Sequence, residues 1–156
     1  MIVVVSDVHL TERREDRKVE RDDQEFREFL THLGENILSD GGDLVLLGDL
    51  IDFWRRDFAK ALIEMEDVIS VLTGFKDDVK VYYVVGNHDY YMLKLKETLA
   101  EDFPFENVAE CIRLQDGGEK FFFTHGYQLE VLANPYYKSL TAYKCFAENL
   151  CLAGDD

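Results

Sequence analysis

The sequence predicts an α/β domain, a largely parallel sheet with helices packed outside it. Three observations predict this. The segments Ile2–Val5, Asp43–Leu47 and Val79–Val85 are short apolar runs rich in β-branched residues, the pattern of strands buried on both faces. Segments of helical periodicity lie between them, so the order is βαβαβ. Finally, 47% hydrophobic and 13% aromatic residues in a chain of 156 supply a core for one domain and leave little room for two.

Each element has its own justification. Ile2–Val5 is the first strand. Residues 12–25 are mostly charged and mixed in sign, with Val19 the only apolar one, which reads as a solvated loop or an exposed helix start. Phe26, Phe29, Leu30, Leu33 and Ile37 then recur at helical spacing until Asp40-Gly41-Gly42 ends the helix. After the strand Asp43–Leu47, residues Phe58, Ala61, Leu62, Met65, Ile69 and Leu72 mark a second amphipathic helix, closed by Gly74. Val79–Val85 is the third strand, and Tyr91–Ala100 is helical. Val108–Leu114 and Lys120–Thr124 flank Asp116-Gly117-Gly118 and form a hairpin. Tyr136–Leu152 is the last helix, with Leu140, Tyr143, Phe146, Ala147 and Leu150 on its inner face.

Charge narrows the function classes. Seventeen Lys and Arg stand against 32 Asp and Glu, a net charge of −15. Such a surface repels phosphate backbones, so non-specific nucleic-acid binding is disfavoured. The apolar runs fall far short of the roughly 20 residues that span a bilayer, and no signal-peptide core is present. Cys111, Cys145 and Cys151 are odd in number and lack metal-type spacing, so the chain reads as reduced and cytoplasmic.

The polar residues gather where the strands end. Val5 leads into Ser6-Asp7-Val8-His9, and Leu47 into Gly48-Asp49-Leu50-Ile51-Asp52. Val85 leads into Gly86-Asn87-His88-Asp89, and Thr124 into His125-Gly126. Ligands of open α/β sheets bind outside the carboxyl ends of the strands, so these four clusters converge. Three of the four histidines are in them; His32, on a helix, reads as a surface residue. Carboxylate, imidazole and amide oxygen together suit Mn²⁺, Fe²⁺ or Zn²⁺, with Ni²⁺ also compatible. Two cations would also neutralise Asp7, Asp49, Asp52 and Asp89, which otherwise repel each other and any phosphate.

In these four motifs and their order, the sequence resembles the calcineurin-like metallophosphoesterases. The resemblance implies a metallophosphoesterase-type β-sandwich flanked by helices, with two divalent ions, Mn²⁺ foremost, at the strand ends. It implies that Asp7 and His9 bind the first ion, that Asp49 bridges, and that Asn87 and His125 bind the second. His88, oriented by Asp52, would stabilise or protonate the departing oxygen, and a metal-bound hydroxide would attack phosphorus. Asn87 and His88 would also contact substrate; Arg13 and Arg14 are further candidates for that contact. Within the family, Ser6–Leu10 and Gly48–Trp54 look most like the UDP-2,3-diacylglucosamine pyrophosphatase branch, whereas Tyr127 departs from that branch's His-Gly-Asp.

The expected reaction is hydrolysis of a phosphomonoester, phosphodiester or pyrophosphate bond on a small or lipid-linked molecule. A DNA nuclease of the same superfamily would share every motif but lacks support from the charge, and a non-catalytic scaffold would be expected to have lost the His88 position. The family's closing Gly-His-x-His motif does not follow His125, and five strands are too few for two packed sheets. The expectation is therefore one metallophosphoesterase domain over 1–156, C-terminally incomplete, that forms a homo-oligomer or associates with a missing segment. Phe121–Phe123 would be its exposed edge.

Overall fold

The computed structural model describes residues 1–10, 17–55, 58–75, 79–98 and 104–153. Four strands, β1 (Ile2–Val5), β2 (Gly42–Leu47), β3 (Val79–Val84) and β4 (Asn107–Ala109), form one parallel sheet in that order. Helices α1 (Arg17–His32), α2 (Phe58–Thr73) and α3 (Met92–Thr98) make the crossovers. A hairpin of β5 (Cys111–Asp116) and β6 (Glu119–Thr124) forms a second sheet. Helices α4 (Tyr127–Ala133) and α5 (Leu140–Ala153) follow.

Alternation along the strands divides the core in two. Leu44, Leu46, Val81 and Tyr83 are buried on the helix side, with Leu30, Leu33, Leu38, Val68 and Leu72. Val45 and Val84 point the other way and pack with Ile112, Ile2, Leu47, Tyr82, Leu114 and Phe123. The hairpin thus lies over the second face, and the two sheets make the expected α/β sandwich with helices outside.

Several elements differ from the expectations. Strand β1 is only half-buried, with Val4 42% exposed, because it is an edge strand with a neighbour on one side. The first helix ends in a π-helical turn, Leu33–Ile37, in which the Leu38 N–H reaches back to the Leu33 carbonyl at 2.8 Å. The wider turn rotates Leu38 into the core and leaves Ile37 exposed; Phe29, on the helix before it, is exposed as well. The expected strand 108–114 is two strands with a bend at Glu110, since Asn107–Ala109 pair with β3 while Cys111 onward pairs with β6. Among the described residues there are six strands rather than five.

Helix α4 was not foreseen, and the last helix begins at Leu140 rather than Tyr136. Pro135 cannot continue a helix, and the Ser139 hydroxyl accepts the Ala142 N–H at 3.1 Å, which caps the new start. The buried residues of α5 are Ala147 and Cys151, whereas Phe146, expected inside, is exposed. Phe121 and Phe122 are exposed as expected, whereas Phe123, expected with them, is half-buried against the second face of the sheet. The side chains at 58, 61, 62 and 65 lie outside the described residues. Among the described residues, no helix is long and apolar enough to cross a membrane.

The two faces of the sheet should respond differently to truncation. Leu46→Ala, at a position 1% exposed, should cost about 2–5 kcal/mol in urea denaturation. Val4→Ala should stay within about 0.5 kcal/mol of the parent. Equal losses at the two positions would mean that something covers the Val4 face in solution.

Candidate metal centre

The loops leaving β1 and β2 stay zipped beyond the strands. Asp7 N–H donates to Gly48 O at 3.1 Å, His9 N–H to Asp49 O at 2.9 Å and Leu10 N–H to Leu50 O at 2.8 Å. To keep that ladder while turning side chains towards one point, the backbone is left-handed at Asp7 (φ 55°), His9 (φ 49°) and Asp49 (φ 52°). Non-glycine residues held there store strain, and such strain gathers at functional sites. Two glycines make the approach feasible. A Cβ on Gly86 would lie 2.0 Å from Asp49 Oδ1, and one on Gly48, itself left-handed, would lie 2.4 Å from His125 Cδ2.

The side chains meet as the strand-end pattern predicted. His125 Nε2 lies 3.4 Å from Asp7 Oδ1 and 3.5 Å from Asp49 Oδ2. His9 Nε2 is 3.9 Å from the same Asp49 oxygen. Asn87 is half-buried on the turn beside them, between Gly86, which abuts Asp49, and His88, whose N–H donates to Asp49 Oδ1 at 2.8 Å. His125 is steadied from both sides, because the Thr124 hydroxyl and the Gly126 N–H both donate to Gln128 Oε1 at 3.2 Å. His32 is exposed on its helix and takes no part. Arg13 and Arg14 lie outside the described residues.

A second group adjoins the first. His88 Nδ1 is 2.8 Å from Asp52 Oδ1, and His9 Nδ1 is 3.6 Å from Asp52 Oδ2. Burial lowers the basicity of His88, but the hydrogen bond and charge of Asp52, with Asp49 and Asp89 beyond, outweigh it and raise its pKa above the ordinary imidazole value. For Asp7, burial works upward, yet the Ser6 hydroxyl and the imidazoles of His125 and His9 hold its carboxyl below the usual range.

Asp89 holds the turn. Its buried carboxylate accepts from the Tyr83 hydroxyl (2.6 Å), the Leu50 N–H (2.8 Å) and the Gly86 N–H (2.7 Å). Burial, reinforced by the charge of Asp49, pushes it up to about 6 against those three bonds. These three bonds give Asp89 a structural part, holding the turn that presents Asn87 and His88. Trp54 stacks on His88 with ring centroids 4.1 Å apart.

The donor set fits divalent metal. Asp7, His9 and Asp49 offer ligand atoms within 4.8 Å of one another, as do His9, Asp52 and His88. The carboxylate–imidazole gaps of 3.4–3.9 Å among Asp7, Asp49, His9 and His125 are looser than good hydrogen bonds, and the oxygens and nitrogens face one another across them.

The family model of the calcineurin-like phosphoesterases matches residues 1–150. The chain belongs to that family. No curated protein matches it. A calcineurin-like phosphoesterase is in general a metal-dependent hydrolase of phosphoester bonds, and the two His/Asp groups of this one fit its metal requirement.

The Asp89 staple gives a stability test for this phosphoesterase. Asp89→Ala strands three buried donors and should cost about 3 kcal/mol or more, read as a lower urea midpoint with unchanged slope. Gly86→Ala should cost about 1–3 kcal/mol through overpacking and also weaken divalent-metal binding, titrated with Mn²⁺ as the probe, because the new methyl displaces Asp49. A Gly86→Ala protein that bound Mn²⁺ like the parent would refute the close approach.

Proposed function

We propose that this phosphoesterase hydrolyses a phosphate ester or anhydride on a small or lipid-linked molecule, using two divalent ions, Mn²⁺ foremost. The observation that carries the reading is the position of Asp49. One of its oxygens faces both His9 and His125, and the other takes the His88 N–H. A carboxylate between two imidazoles from separate strand ends suits a bridge between two ions. Asp7, His9 and Asp49 would hold one ion; Asp49, Asn87 and His125 would hold the other. When bound, the ions neutralise the acidic cluster, polarise phosphoryl oxygens and make water acidic enough to attack.

The chain's own part in the proton chemistry falls to His88. Asp52 engages Nδ1, which leaves Nε2 as the nitrogen that exchanges a proton. The shift upward, caused by Asp52, favours the protonated ring, from which a proton would pass to the departing oxygen. Asn87, adjacent on the same turn, would share contact with the phosphoryl group. The net charge of −15 supports a compact phosphate substrate over duplex DNA, since polyanions are repelled at long range.

Two variants separate the roles. Asp49→Asn should lose Mn²⁺ affinity and turnover together, because a neutral amide bridges two cations poorly. His88→Ala should keep its metal, by metal analysis, while turnover on phosphate esters falls roughly 10²–10⁴-fold. Release of metal by His88→Ala would make His88 a ligand instead. Aryl phosphates should be cleaved under Mn²⁺; comparable rates on double-stranded DNA with steep salt dependence would replace this reading with a nuclease.

A further inference from the structure

We propose that Trp54 is the positioning residue of His88, holding the plane of its imidazole so that the Asp52 contact and the proton-transferring nitrogen stay in register. The inference rests on the reading of His88 as the proton donor. A single hydrogen bond, His88 Nδ1 to Asp52 Oδ1, fixes one ring atom and leaves the ring free to swing about that contact. A flat surface against the ring face removes the swing. Trp54 supplies it, with centroids 4.1 Å apart and planes 24° apart, while the His9 ring stands at 86° to His88 at 4.9 Å.

The local backbone serves the same contact. Trp54 lies in a 3-10 turn, Phe53–Arg55, whose first N–H donates to the His88 carbonyl at 3.2 Å. The turn is thus bonded to the residue its indole covers. Helix α5 supports both partners, since the Cys151 thiol donates to the same carbonyl at 3.4 Å and the Phe146 ring meets Trp54 at 6.3 Å and 70°. The indole Nε1 is buried on the side of the Cys151 thiol, so α5 meets the polar edge of the ring while its face lies on His88.

The test compares Trp54→Leu and Trp54→Phe with His88→Ala in Mn²⁺-loaded protein, on an alkyl phosphate and on an aryl phosphate with a good leaving group. Loss of a proton donor hurts poor leaving groups most. Trp54→Leu should lower kcat on the alkyl phosphate by about 10–100-fold, leave KM within about twofold, and affect the aryl phosphate less. Trp54→Phe should restore most of the loss. A second readout needs no turnover. In metal-free protein the His88 Nδ1–H proton signal, protected by Asp52, should be sharp in the parent and in Trp54→Phe, and broadened by exchange in Trp54→Leu.

Equal losses on both substrates, a large rise in KM, or an unchanged Nδ1–H signal in Trp54→Leu would overturn the inference. His88→Ala provides the separation. If it lost both substrates equally, the role given to His88 would fail and take this inference with it. If it discriminated by leaving group and Trp54→Leu did not, the inference alone would fail.

Discussion

Asp89 accepts hydrogen bonds from three parts of the chain: the hydroxyl of Tyr83 inside β3, the Gly86 N–H at the end of that strand, and the Leu50 N–H in the loop after β2. The His88 N–H bond to Asp49 Oδ1 ties the same two strand ends a second time. Because Leu50 is fixed, Asp49 beside it is fixed. With Gly86 fixed, the turn carrying Asn87 and His88 cannot move outward. The left-handed residues Asp7, His9 and Asp49 would relax if the loops were free, so the buried carboxylate is what keeps their strain in place. The energetic risk is clear: a desolvated charge is favourable only while every donor remains in position.

Electrostatically, the site concentrates a property of the whole molecule. The chain carries −15, and Asp49, Asp52 and Asp89 are all buried within a few residues of one another in space. Imidazoles answer part of this. Asp52 engages His88 and His9, and Asp7 and Asp49 face His125. Imidazole neutralises a carboxylate only when protonated, whereas a dication does so at any working pH, which is why this donor set favours metal over a purely hydrogen-bonded network.

How much of this was legible in the sequence depends on the range of the interactions. The three parallel strands and their polar termini were legible because a buried strand is a local apolar run and its end is the next residue. The cluster of Asp7, His9, Asp49 and His125 followed from one rule about strand ends. The split at Glu110 was not legible, since residues 108–114 read as one β segment and the bend is set by pairing with β3 on one side and β6 on the other. Helix α4 was hidden because seven residues carry too weak a period. The stack of Trp54 on His88 spans 34 positions and leaves no pattern; an aromatic residue just after the Asp52 motif was its only trace.

The contact between His125 and Asp7 joins residues 118 positions apart. As the chain is made from its N-terminus, β1, β2 and β3 can pair while the hairpin and its trailing helices are still unsynthesised, because each parallel pair closes a shorter loop. The sheet is therefore an early structure and the cluster a late one. Asp7 and Asp49 come into place with their strands, but His125 arrives only when β6 has folded back over the second face. Cation capture by the full set is then coupled to the final closure of the domain, so that an ion held by all of these donors marks a finished chain rather than a nucleus for folding.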